Sequence, residues 1–244
     1  TLLASSAASD VYKRQIMNII EKINKEFANK SYYEKQFSEF AAKCYDLHKN
    51  VNQTYDDNPY SLHLKMVTNM LPIVFEDAWK TNFLDSTESS QLLVDYITCF
   101  YASLLHDSIE DARLTYNDVN NIVSGYNSFV ISVLGSKQYS ILTIKSENVA
   151  DIVYAVTNEK GKNRSERAND KYYQGIRDNK LAVIVKICDR LANAFYSKMM
   201  NSRMLDVYKK EHKHFIDSII EDKNSEFYKK VELHFIKIYN DELI

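Results

Sequence analysis

The sequence predicts an all-α fold, and three observations carry that expectation. A chain of 244 residues with only 4 Gly and 2 Pro has too few turn-formers for a barrel or sandwich, which needs a tight turn roughly every dozen residues. Apolar residues recur at helical spacing through most of its length. Two stretches, 92–105 and 181–196, are apolar nearly all round, which places them at the centre of a bundle with other helices packed about them. With 45% hydrophobic and 26% charged positions the chain can bury a sizeable core, and residues 16–244 are expected to form a single domain. Residues 1–15, TLLASSAASDVYKRQ, are small and Ser/Ala-rich in a chain otherwise full of Lys, Asn, Tyr and Ile. They lack the ordered charged, apolar and cleavage regions of a signal peptide and are expected to be a non-native leader.

Ile19, Ile20, Ile23 and Phe27 mark a first helix over 17–29, and a second follows over 31–49. Pro59 fixes the start of the next, over 61–80. Helix 90–107 contains the longest nearly apolar run, Leu92 to Leu105, which spans 14 residues including Asp95. A membrane span needs roughly 20, so no membrane segment is expected. A helix over 115–124 precedes the run FVISVLGSKQYSILTI, which centres on Gly135 and Ser136. This segment, around 127–146, is read as an insertion that is either a hairpin or extra helix. Periodicity then predicts helices over 147–157, 165–175, 179–200, 203–221 and 224–243. The β-branched AVIVKI near residue 185 resembles a strand, but about 20 residues without Gly or Pro decide for helix.

Basic and acidic residues nearly cancel, 31 against 33 for a formal net charge of -2, so no global field draws the chain to nucleic acid or an anionic membrane. The 18 Tyr and 11 Phe are scattered, as core and interface packing requires, and are not interleaved with Arg for base stacking; a homo-oligomer stays open. Cys44, Cys99 and Cys188 are odd in number with no C-x-x-C pair, which reads as reduced, buried thiols of a cytoplasmic protein.

Chemistry concentrates at four places. His106-Asp107-Ser108-Ile109-Glu110-Asp111 ends the central apolar helix with one imidazole and three carboxylates. At helical spacing His106 shares a face with Glu110, and Asp107 with Asp111. Such a cluster is costly unless something positive sits in it. His63 falls in the first turn of its helix, and Asp189 lies inside the apolar run VKICDRLAN, where a carboxylate wants a metal or an arginine. His63, His106, Asp107 and Asp189 together offer two nitrogen and two oxygen donors from three helices, a set suited to one divalent ion such as Mn, Fe or Zn. His212 and His214 point to different faces of one helix and His234 stands among Leu233, Phe235 and Ile236; all three read as structural.

The order H…HD…D resembles the signature of HD-domain metal-dependent phosphohydrolases, and PYSLH, LLHDSIED, IVYAVTNEKGKNRSER and VKICDRLAN resemble the hydrolase domain of RelA/SpoT proteins and the small alarmone hydrolases. The corresponding family strings run roughly PYxxHP, LLHDxxED, a VT motif followed by basic residues, and VKxxDxxxN. The resemblance spans about residues 41–200 and implies an HD-type helical bundle. It makes His63, His106, Asp107 and Asp189 ligands of one metal, usually manganese, and Glu110 and Asp111 the pair that positions the attacking water. Asn193 then matches a ribose contact. Arg164 and Arg167 are candidates for the outer phosphates, because guanidinium grips phosphate bidentately. His48 and Lys49 are candidates for substrate-loop contacts. The implied reaction releases pyrophosphate from the 3′ position of guanosine tetra- or pentaphosphate. The loop after Lys49 has no basic residue before Lys65 and carries Tyr55, Asp56 and Asp57, a departure from the family that keeps other small-molecule nucleotides open: adenosine alarmones, the 2′-phosphate of NADPH, or a nucleoside monophosphate. A silent nucleotide-binding domain is the further alternative. The segment from Tyr116 to Thr157 is about twenty residues longer than the family pattern.

Overall fold

The computed structural model describes residues 30–85, 89–132 and 139–240. The leader and the predicted helix at 17–29 lie outside them. Among the described residues the chain runs α1 (Lys30–Asn50), β1 (Thr54–Tyr55), β2 (Asn58–Pro59), α2 (Ser61–Lys80), α3 (Ser89–Leu105), α4 (Tyr116–Ser124), β3 (Ser128–Ser132), β4 (Tyr139–Thr143), α5 (Ser146–Val156), α6 (Arg164–Arg167), α7 (Asp170–Arg177), α8 (Lys180–Met199), α9 (Met204–Ile219) and α10 (Glu226–Tyr239). The fold is all-α, with two small antiparallel hairpins attached.

Helix α8 is the axis of the bundle. It packs against α2, α3, α5, α7, α9 and α10, and its β-branched stretch Val183, Ile184, Val185 and Ile187 is buried with Cys188. Each such side chain contributes roughly 1.5–3 kcal/mol on leaving water, which outweighs the slight helix penalty of branching at Cβ. Asn179 starts the helix by accepting from the backbone N–H of Leu181 and Ala182 at 3.0 and 3.2 Å. The most extensive helix pair among the described residues is α2 with α8, and α3 packs on both, so three chain segments distant in sequence meet at one end of the core. All three cysteines are buried and free. No helix among the described residues is long and apolar enough to cross a membrane.

Within 127–146, β3 and β4 pair antiparallel, the hairpin alternative of the two expected. Phe129 pairs with Leu142, and both are buried, while neighbouring Ile141 is 74% exposed, the alternation of a strand with one face on the core. Phe129 stacks on Phe37 of α1 at 5.7 Å. The expected helix over 165–175 is two helices, because Asn163 caps α6 through Glu166 N–H at 3.0 Å and Asn169 starts α7 by accepting from Tyr172 N–H at 3.1 Å. A second cap within six residues interrupts the first helix. Helix α3 ends at Leu105, so His106 to Asp111 form a turn, closed by bonds from Ser108 N to Leu105 O at 2.8 Å and Asp111 N to Asp107 O at 2.8 Å.

Candidate metal centre

His63 stands in the first turn of α2, His106 immediately follows α3, and Asp189 lies midway along α8. All three are buried, and their ligand atoms lie within 4.8 Å of one another, so the cluster can hold a metal ion. His63 Nε2 is 3.1 Å from His106 Nε2 and 3.4 Å from Asp189 Oδ1, and His106 Nε2 is 3.7 Å from the same oxygen. Asp107 borders the group: its Oδ2 lies 2.8 Å from His106 Nε2 and 3.4 Å from His63 Nε2. Donors held about 2.0–2.2 Å from one ion at angles of about 90–110° lie roughly 2.8–3.6 Å apart, so the spacing fits a shared cation. The orientation of His106 fits as well. Its Nδ1 is 2.9 Å from the carbonyl oxygen of Ser103, an acceptor only, so Nδ1 donates and Nε2 of the neutral ring keeps its lone pair for the cluster.

The electrostatics favour positive charge. Burial opposes the charged forms of His63, His106, Asp107 and Asp189, and specific partners outweigh it. Lys186, whose Nζ is 2.8 Å from Asp189 Oδ2, joins His106 and His63 in holding the Asp189 carboxyl well below the usual range. His106 and His63 do the same for Asp107. In return, burial pulls His106 down but the two carboxylates raise it to about 10. Tyr60 donates to Asp107 Oδ2. Asp111, raised to about 6 by burial and by Asp107, accepts from Gln53 Nε2 at 3.2 Å.

The cluster opens into a cavity of about 330 Å³ whose wall includes Glu110, Asp111, Arg164, Arg167, Lys186 and Asn193. Glu110 and Asp111 thus reach the cavity from the turn rather than from a continued helix. Glu110 accepts from Asn158 Nδ2 at 2.8 Å and lies 3.6 Å from Arg167 Nη1. Arg164 grips Glu211 with Nε and Nη2 at 2.7 and 3.0 Å, while Arg190 Nη1 reaches the same carboxylate at 2.9 Å. Both guanidinium groups lie over the Tyr208 ring. One carboxylate between two arginines leaves this trio one positive charge in excess.

His48 and Lys49, expected as substrate-loop contacts, are not among the residues lining the cavity. Helix α1 continues through Asn50, so both belong to its last turn: His48 is fully buried, its ring stacked on Tyr60 at 4.3 Å, and Lys49 is exposed. Asn193 lines the cavity with its amide bonded to Asp189 and Tyr55. His234 pairs with Asp77 at 2.7 Å and His212 with Glu232 at 3.2 Å, away from the cavity wall, whereas His214 borders the cavity. Residues the spacing argument missed are Tyr55, Lys186, Arg190, Tyr208 and Glu211. Lys186 carried a signal, three residues before a buried aspartate on one helix face. Glu211 and Tyr208, beyond the matched motifs, carried none.

No protein-family model matches this chain, and no curated protein matches it. The resemblance to HD phosphohydrolases rests on the motifs themselves.

Proposed function

We propose that the chain is an HD-type metal-dependent phosphohydrolase acting on a nucleotide, with 3′-pyrophosphate release from guanosine tetra- or pentaphosphate as the reaction its motifs favour. The observation that carries this reading is the buried group His63, His106 and Asp189, with Asp107 Oδ2 2.8 Å from His106 Nε2, beside a cavity with cationic side chains in its wall. These four would hold one divalent cation, manganese first, with iron or zinc accepted by the same donor set. A cation held there would supply Lewis acidity, polarising a phosphoryl oxygen and making a nearby water more acidic. Asp111 and Glu110, on the turn beside the cluster, would orient the attacking water and take its proton as its oxygen bonds to phosphorus, and a proton would pass to the ribose 3′ oxygen as its bond to phosphorus breaks. Arg167, Lys186 and Arg190 face the negative charge of the phosphates.

One observation favours a second substrate within this class. The loop from Val51 to Asn58 contributes Tyr55 to the cavity and no cationic side chain, which suits a base or phosphate arrangement other than that of the guanosine alarmones. Incubating the protein with Mn and a panel of guanosine and adenosine alarmones, NADPH and nucleoside monophosphates, then resolving products, tests both. Pyrophosphate from a guanosine alarmone supports the first reading; orthophosphate from NADPH or a monophosphate supports the second. No product from any substrate overturns both.

A further inference from the structure

Asn193 sits one turn after Asp189 on α8, and its amide is committed in two directions. Its Nδ2 donates to Asp189 at the backbone oxygen, 3.0 Å, and at Oδ1, 2.5 Å. Its Oδ1 accepts from the Tyr55 hydroxyl at 2.8 Å. The flipped amide would set oxygen against carboxylate oxygen, so these bonds define its orientation. Asp189 Oδ1 is also the atom that faces both imidazoles of the cluster. The Tyr55 ring meanwhile lies nearly parallel to His63, with centroids 4.7 Å apart and planes at 19°. It is carried on a tight hairpin, Thr54–Tyr55 against Asn58–Pro59, whose turn is made by Asp56 at φ 49 in the left-handed region, where Asp is tolerated. One side chain therefore touches a ligand imidazole directly and a ligand carboxylate through a single amide.

Resting on the metal-centre reading above, we infer that Tyr55 is a positioning residue that holds His63 and Asp189 in register for the cation, and that Asn193 is the link in this chain. With both N–H groups spent on Asp189, Asn193 has only one lone pair of Oδ1 to offer a ligand. Removing the Tyr55 hydroxyl frees the amide to turn, and the carboxylate oxygen loses the donor that orients it. Partners of this kind change metal affinity by about 10–100-fold when removed.

Isothermal titration of metal-free protein with MnCl₂ tests the inference, comparing wild type with Tyr55→Phe, Tyr55→Leu, Asn193→Ala and the Tyr55→Phe/Asn193→Ala double variant, each first shown by circular dichroism to be folded. Tyr55→Phe and Asn193→Ala should each weaken Mn binding about 10-fold or more, the double variant should lie within about 3-fold of the weaker single, and Tyr55→Leu should be weaker than Tyr55→Phe because it also loses the stack. Tyr55→Phe removes a single oxygen and keeps the test open where Asn193→Ala does not fold. Wild-type affinity in Tyr55→Phe overturns the inference and leaves the metal centre standing. Failure of the wild type to bind Mn overturns both.

Discussion

Replacing Lys186 by methionine removes the ammonium group 2.8 Å from Asp189 Oδ2 while keeping a side chain of similar length and shape. The two side chains are 13% and 10% exposed, so in metal-free protein the substitution leaves the buried carboxylate with His63, His106 and Asn193 but without its ammonium partner. Breaking a buried pair from one side costs about 3–5 kcal/mol, and the lower end applies because Lys186 borders the cavity. For a domain of this size each kcal/mol moves the melting temperature by about 2–4 °C, so Lys186→Met should melt about 6–12 °C below wild type in chelator. The carboxylate that has lost its ammonium partner should also make the variant gain more from added Mn than wild type does. The assay is thermal unfolding by circular dichroism in chelator and in Mn. A melting temperature for Lys186→Met within about 1 °C of wild type in chelator would refute the claim that this pair is buried and coupled.

Two further outcomes are expected elsewhere. Asp217, near the end of α9, accepts from Lys213 at 3.1 Å and from Tyr228 at 2.8 Å and pairs with Lys223 at 3.0 Å; burial pushes its carboxyl up, but these partners outweigh burial and bring it to about 2. A depressed carboxyl adds stability above its unfolded pKa of about 3.9 and loses it as pH falls toward the folded value, so wild type should lose melting temperature between about pH 4 and pH 2 more steeply than Asp217→Asn. The thiols of Cys99 and Cys188 are buried and pushed well above their ordinary range by desolvation, so a thiol reagent should label them in native protein only at the rate of unfolding. Fast labelling of either would contradict their place in the core.

Most helices were legible because their apolar residues recur at one period over long stretches; α2 occupies the 61–80 span that Pro59 and the spacing predicted. What periodicity leaves open is local chemistry. Two asparagine caps six residues apart divide 164–177 into α6 and α7, and the Gly135–Ser136 run reads equally as hairpin or helix until Phe129 and Leu142 are seen to bury one face together. Three donors of the cluster, His63, His106 and Asp189, were legible because a histidine or aspartate in an apolar run is expensive unless it converges with others. Tyr55 and Glu211 were not, since their partners Asn193 and Arg164 are 138 and 47 residues away in the chain. His48, inside the predicted helix and read as a substrate contact, is the buried backing of Tyr60.

The most direct test of the central claim is elemental quantification of metal retained after loading with Mn and gel filtration, for wild type and for His63→Ala, His106→Ala and Asp189→Ala. About one equivalent in wild type and less than about a tenth in each variant is the predicted result. Folded Asp189→Ala that retains as much metal as wild type would contradict it.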